Sequence, residues 1–101
     1  MTDGGRMFLI ELTYKKDLRE IDRFLEEHGD FLDRKYSEGL LIFSGRKNPR
    51  DGGLILTNIA SRDRVEALIA QDPFHREQIA DYRVVEFTPT KFDSRFECFI
   101  K

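Results

Sequence analysis

A chain of 101 residues with 17 Lys and Arg against 19 Asp and Glu, net charge −2 at pH 7, has room for one domain with one core and exerts no long-range pull on nucleic acid or an anionic membrane. Hydrophobic residues make up 40% and nine residues are Phe, which excludes disorder. No segment approaches the roughly 18 apolar residues of a membrane span, and the polar, Gly-rich opening Met1–Arg6 lacks the apolar run of a signal peptide. The single Cys98 can make no internal disulfide, so a reducing, cytoplasmic setting is expected.

Arg6–Tyr14 is a short, mostly apolar run rich in strand formers, with hydrophobes on both alternate rows, and is expected as the first strand. Asp17, with Glu20 three residues on, gives a helix start of the capping-box kind. From there Ile21, Phe24, Leu25, His28, Phe31, Leu32 and Lys35 recur at spacings of three and four. That stripe predicts one helix of about five turns. Gly29 falls in its middle, where glycine costs about 1 kcal/mol against alanine and so predicts close packing or a local relaxation. Gly39 suits a left-handed cap and ends the helix. Leu40–Gly45 and Gly53–Ile59 read as the second and third strands, joined by Arg46–Gly52, in which Pro49 and Gly52 mark a hairpin with a longer loop. Ser61 and Asp63 open a second helix through Val65, Leu68 and Ile69, which must stop near Gln71 because a residue before proline is driven out of the α region. Asp72 then starts a short segment to Gln78, with Pro73 at the first helical position and the Asp72 carboxylate as N-cap. Tyr82–Thr88, bounded by Pro89, is the fourth strand.

The order βαββαβ predicts the α+β class: a ferredoxin-like sandwich, with an antiparallel sheet and both helices on one of its faces. The pairs Met7/Phe8, Leu9/Ile10, Leu40/Leu41, Ile42/Phe43 and Leu54/Ile55 put hydrophobes on both rows, whereas a soluble monomer needs only one apolar row. An uncovered apolar face predicts a homodimer closed sheet face to sheet face. The alternative is that the tail Lys91–Lys101 folds back over its own sheet. Phe92, Phe96 and Phe99 fit a helix and Phe96, Cys98 and Ile100 fit a strand, and either pattern would equally lie across a partner subunit.

The run His28-Gly29-Asp30-Phe31-Leu32, then Gly39–Gly45, Pro49–Gly53, Asp72-Pro73-Phe74 and Tyr82–Pro89, in this order and spacing, resembles the YciI-like (YCII-related) family over nearly all of Met7–Pro89. The resemblance implies a single domain with its core at about 6–89 and a tail at 90–101, assembled as a dimeric ferredoxin-like α/β-barrel similar to muconolactone isomerase. It also implies a cleft with a His–Asp pair, which falls here on His28 and Asp72. Its members read as small-molecule enzymes, and one branch is a dehydrochlorinase of chlorinated hydroxyhydroquinone. The chain departs from the pattern at Arg46, where proline usually follows Ser-Gly, and at Gln78-Ile79-Ala80, where Gly-Leu-Ala is frequent. Arg46 lies on the hairpin that would edge the pocket.

An imidazole, with an ordinary pKa of about 6.5, takes and returns a proton near neutral pH, and a carboxylate on one ring nitrogen fixes its tautomer. Such a pair suits isomerisation or elimination. Each partner also has a structural explanation: a histidine on an apolar helical stripe is ordinarily a core residue bonded to a carbonyl, and Asp72 is explained as a cap alone. Ser44 is expected as a hydrogen-bonding wall of the pocket, since no nucleophile-elbow motif surrounds it. Arg50 reads either as an anchor for a substrate carboxylate or phenolate or as a solvated hairpin charge, and Phe74 either as a surface for stacking a ring or as core. Two His and scattered carboxylates give no metal-site spacing, and the Gly pairs lack the lysine of a phosphate loop, so neither metal nor cofactor is expected. Leu54–Ile59 offers no aromatic residue on which to stack a base, so nucleic acid is not an expected partner. The reading is a small-molecule enzyme of isomerase or lyase type, with a non-catalytic metabolite-binding or interaction module as the alternative.

Overall fold

The structure, a computed structural model, describes residues 5–101, so most of the polar opening read above as lacking a signal peptide lies outside the described residues. β1 (Met7–Tyr14) runs through the middle of a four-stranded sheet with β2 (Phe43–Arg46), β3 (Gly52–Thr57) and β4 (Ala80–Phe87), in the order β2-β3-β1-β4. Every pairing is antiparallel. The helix-facing row of the sheet, with Phe8, Ile10, Leu12 and Ile55, joins Ile21, Phe31, Val65, Leu68 and Phe74 in one buried core. This is the ferredoxin-like α+β arrangement that the periodicities predict. Among the described residues no helix is long and apolar enough to cross a membrane.

The long apolar stripe is carried by two helices rather than one. Asp17 caps α1 (Leu18–Arg23), accepting the Glu20 N–H at 3.1 Å, and α2 (Leu25–Ser37) restarts after Phe24, whose backbone leaves the helical region at φ −113°, ψ 7°. The Phe24 N–H reaches the Ile21 carbonyl at 3.0 Å and its own carbonyl receives the His28 N–H at 2.9 Å, so the break is one tightened turn. It falls before Gly29, around whose missing Cβ nothing lies within 4 Å; neither close packing nor relaxation occurs at that glycine. α2 ends as its sequence predicts. Gly39 sits at φ +74°, the Leu40 N–H bonds the Lys35 carbonyl at 3.0 Å and the Gly39 N–H bonds the Tyr36 carbonyl at 2.9 Å, the paired closure of a left-handed cap.

β2 starts later than expected because Leu40 and Leu41 turn into the core, and the Leu40 carbonyl accepts the Thr57 hydroxyl at 2.6 Å. Ser61 caps α3 (Arg62–Ala70), and Asp72 caps α4 (Pro73–Arg76). Gln78, where a glycine is frequent in the resembling family, takes a left-handed backbone at φ 56° before Ile79 and Ala80 bury.

On the face away from the helices, the register aligns Phe43, Leu56, Leu9 and Val85 across the four strands, and the next line runs Leu54, Glu11, Arg83. Phe43 is 51% exposed and Phe87 40%. Glu11 is reached by Lys47 at 3.5 Å and by Arg83 at 3.9 Å, so the uncovered face is part apolar and part ion-paired. The tail returns to one end of its own sheet. Its 3-10 turn Ser94–Phe99 presents the Phe99 carbonyl to Asn58 Nδ2 at 2.8 Å, and Ile100 closes on Gly5, beside the buried Met7 and Leu56.

Candidate active site

The site is built on Asp72. The extended backbone imposed before Pro73 (φ −74°, ψ 126°) turns its carboxylate under the first turn of α4, where the residue is 1% exposed. Oδ1 accepts the Phe74 backbone N–H at 3.0 Å and lies 2.8 Å from His28 Nδ1, while Oδ2 accepts the Tyr82 hydroxyl at 2.7 Å. Capping and contact with the imidazole are therefore duties of one oxygen, and the two readings of Asp72 coexist. A buried charge is tolerated only where donors surround it, and here they arrive from α2, α4 and β4.

Tyr82 escaped the sequence reading. Its only signal was a place on the inward row of a strand that begins at Ala80 rather than at Tyr82 itself. Burial first, and then the Asp72 carboxylate, push its phenol far above the ordinary range, so it remains a donor. His28 Nδ1 faces an acceptor-only group and carries the hydrogen, which leaves Nε2 as the ring nitrogen free to take a proton. The imidazole is stacked on Phe74, with centroids 4.1 Å apart and planes 3° apart, and Phe74 meets Tyr14 edge-on at 6.0 Å.

His28 forms part of the wall of a cavity of about 210 Å³ between α2 and the helix-facing side of the sheet. Leu12, Leu25, Leu32 and Ile55 make it largely apolar, and Phe74 backs it. Gly53 stands between Arg46 and Leu12 in the register, where β2 comes so close that a Cβ would lie 2.8 Å from the Gly45 carbonyl oxygen. Ser44 lines the cavity and shares a hydrogen bond of 2.8 Å with the Tyr36 hydroxyl. Arg46 also lines it, whereas Arg50 does not. Arg50 lies 2.6 Å from Asp22 Oδ1, and that carboxylate pushes the guanidinium further above its ordinary range. The structure thus brings together His28, Asp72, Phe74 and Ser44, and holds Arg50 apart. Among the described residues, no group of three or more His, Cys, Asp or Glu could hold a metal ion.

No curated protein matches the chain in sequence. Among solved structures it is similar to the 5-chloro-2-hydroxyhydroquinone dehydrochlorinase of Burkholderia phenoliruptrix in complex with 2,5-dihydroxybenzoquinone, with a TM-score of 0.69 and 15% identity over 88% of this chain and 97% of that one. It also matches SnoaB, a cofactor-independent oxygenase from Streptomyces nogalater, at a TM-score of 0.48 and 11% identity over 88% of this chain and 96% of that one. The first likeness is one of fold and agrees with the ferredoxin-like sheet. The family description that matches the sequence, a YCII-related domain, spans residues 7–88, from the first residue of β1 to just past the end of β4, and the chain belongs to that family.

Proposed function

We propose that this protein is a cofactor-independent enzyme of isomerase or lyase type that moves a proton on a small cyclic organic molecule held beside His28. The observation that supports it is the 2.8 Å contact between His28 Nδ1 and a buried Asp72, made at the wall of an apolar cavity. In this reading Nε2 takes a proton from a C–H or O–H of the substrate, and the electron pair of that bond becomes a new π bond. Asp72 stabilises the resulting imidazolium and need not move, because the Phe74 N–H and the Tyr82 hydroxyl already hold it. In an isomerisation the proton returns to another atom; in an elimination it passes to solvent while the leaving group departs with its electron pair. Ser44 offers a hydrogen bond to a ring substituent, and Phe74 acts by backing the imidazole.

Size supports a single ring. An apolar cavity of about 150 Å³ accepts benzene, so about 210 Å³ takes a ring with small substituents. Residues 1–101 act in this reading as one domain, paired as a homodimer through the open sheet face, in a cytoplasmic setting in keeping with the free, exposed Cys98.

The alternative, a binding module without chemistry, has one observation in its favour: the bond from Asp72 to the Phe74 N–H would be made by a purely structural cap. Deuterium exchange separates the two. Incubated in D₂O with a panel of hydroxylated single-ring compounds, the wild-type protein is expected to exchange a ring C–H of at least one, and His28→Gln to lower that rate about 100-fold without loss of binding. Binding with exchange at the buffer rate throughout would leave the binding module.

A further inference from the structure

We infer that Arg46 makes the cavity a site for rings that carry an anionic oxygen, a carboxylate or an ionised phenol; this deepens the proposed function and rests on its reading of the cavity as the substrate site. Arg46 is the only charged residue among those lining the cavity, beside apolar walls and the imidazole. The register explains how it gets there. Ser44 and Arg46 stand on the same row of β2, opposite Ile55 and Gly53, and Gly53 in turn faces Leu12. Gly53 fits there because β2 approaches closely: a Cβ on it would lie 2.8 Å from the Gly45 carbonyl oxygen.

The surrounding cations are engaged elsewhere. Lys47, one residue on and therefore on the opposite row, pairs with Glu11 and Asp51; Arg50 pairs with Asp22, and Arg76 with Glu27 and Glu77. Arg46 takes part in no ion pair among the described residues. A guanidinium without a carboxylate, set at the rim of an apolar pocket, matches the planar fork of a carboxylate or the oxygen of a phenolate. It also suits the proposed chemistry, because charge left on the ring when His28 takes a proton delocalises onto such an oxygen.

The test compares 2,5-dihydroxybenzoate with its neutral analogue 2,5-dihydroxybenzamide, each titrated into isotopically labelled full-length protein and followed by NMR shifts at Leu32, Gly53 and Ile55. The acid is expected to bind wild type about tenfold more tightly than the amide, a difference that salt weakens because Arg46 meets solvent. Arg46→Gln should bring the two within about twofold by weakening only the acid, while Arg50→Gln leaves the preference intact. Equal binding of acid and amide, a preference that survives Arg46→Gln, or one abolished by Arg50→Gln instead would each overturn the inference. If both probes bind the cavity equally, the anion site falls and the deuterium exchange alone decides the His28 chemistry. If the preference follows Arg46 but no ring exchanges deuterium, the anion site stands and the enzyme falls. If neither probe shifts the cavity residues, both fall.

Discussion

Asp72 Oδ1 is shared between a backbone amide and an imidazole, so no substitution there removes one role alone. Asp72→Asn retains an oxygen for the Phe74 N–H but sets an amide group against a donor on the other side. The expected result is a stability loss of about 1–3 kcal/mol in denaturant unfolding, with the Nδ1–H tautomer of His28 kept in nitrogen-detected NMR, because the oxygen that accepts the Phe74 N–H also faces the imidazole. A lost Nδ1–H tautomer would mean that the Asn amide has turned its nitrogen to the imidazole and given up the Phe74 cap. Tyr82→Phe strips a donor from Oδ2 of a residue 1% exposed, at about 1–2 kcal/mol. The phenol also sets a pH dependence. Because its folded pKa is raised above the ordinary 10.0, its contribution is complete below that pH and is lost as alkali is added above it. Alkaline destabilisation should therefore be shallower in Tyr82→Phe. Of this site, the sequence made Asp72 legible through the local Asp-Pro step. Tyr82 was not legible, since what it touches depends on how β4 lies beside β1, a pairing of distant segments. Arg46 and Arg50 are separated by three residues on one hairpin, and only the register of β2 on β3 decides which of them reaches the cavity.

At the scale of elements, local chemistry predicted ends better than continuity. The caps at Asp17, Gly39, Ser61 and Asp72 follow from short-range hydrogen bonding and are found where the sequence put them. The break at Phe24 does not follow from propensity; its ring packs against the core and carries the Arg23 guanidinium at 5.7 Å, a tertiary demand invisible in the stripe. Gly39 and Gln78 make a matched pair, both left-handed at φ +74° and 56°, one with the residue that favours this backbone and one without. Gly39→Ala should lower stability by about 1 kcal/mol, with no steric contribution because nothing lies within 4 Å of the added Cβ. Gln78→Gly should raise it by about 0.5–1 kcal/mol. Thermal unfolding reads both, and a destabilised Gln78→Gly would mean that the glutamine side chain contributes more than the strain it imposes.

For the whole molecule, the two apolar rows of β1 announced both a helix-packed core and a second surface seeking cover. The tail covers only the end near Asn58 and Gly5, a path that two competing periodicities in its Phe residues left undecided. Phe43, Leu9 and Val85, on the register line that passes through the buried Leu56, are the centre of the proposed dimer contact. Light scattering on wild type should give twice the mass of the chain, and Phe43→Glu should shift it to the monomer without unfolding it, because Phe43 is 51% exposed in the single chain. A monomeric wild type at micromolar concentration would sink the dimer. Phe43 and Ser44 are neighbours on β2, yet one faces that contact and the other the cavity. β2 is an edge strand of four residues held by β3 alone, and a shift of one residue exchanges the two faces. A single insertion or deletion in the loop Lys47–Asp51 would thus swap hydroxyl and guanidinium for phenyl inside the cavity in one step, so the hairpin is a place where this scaffold can acquire a new ligand preference without a new fold.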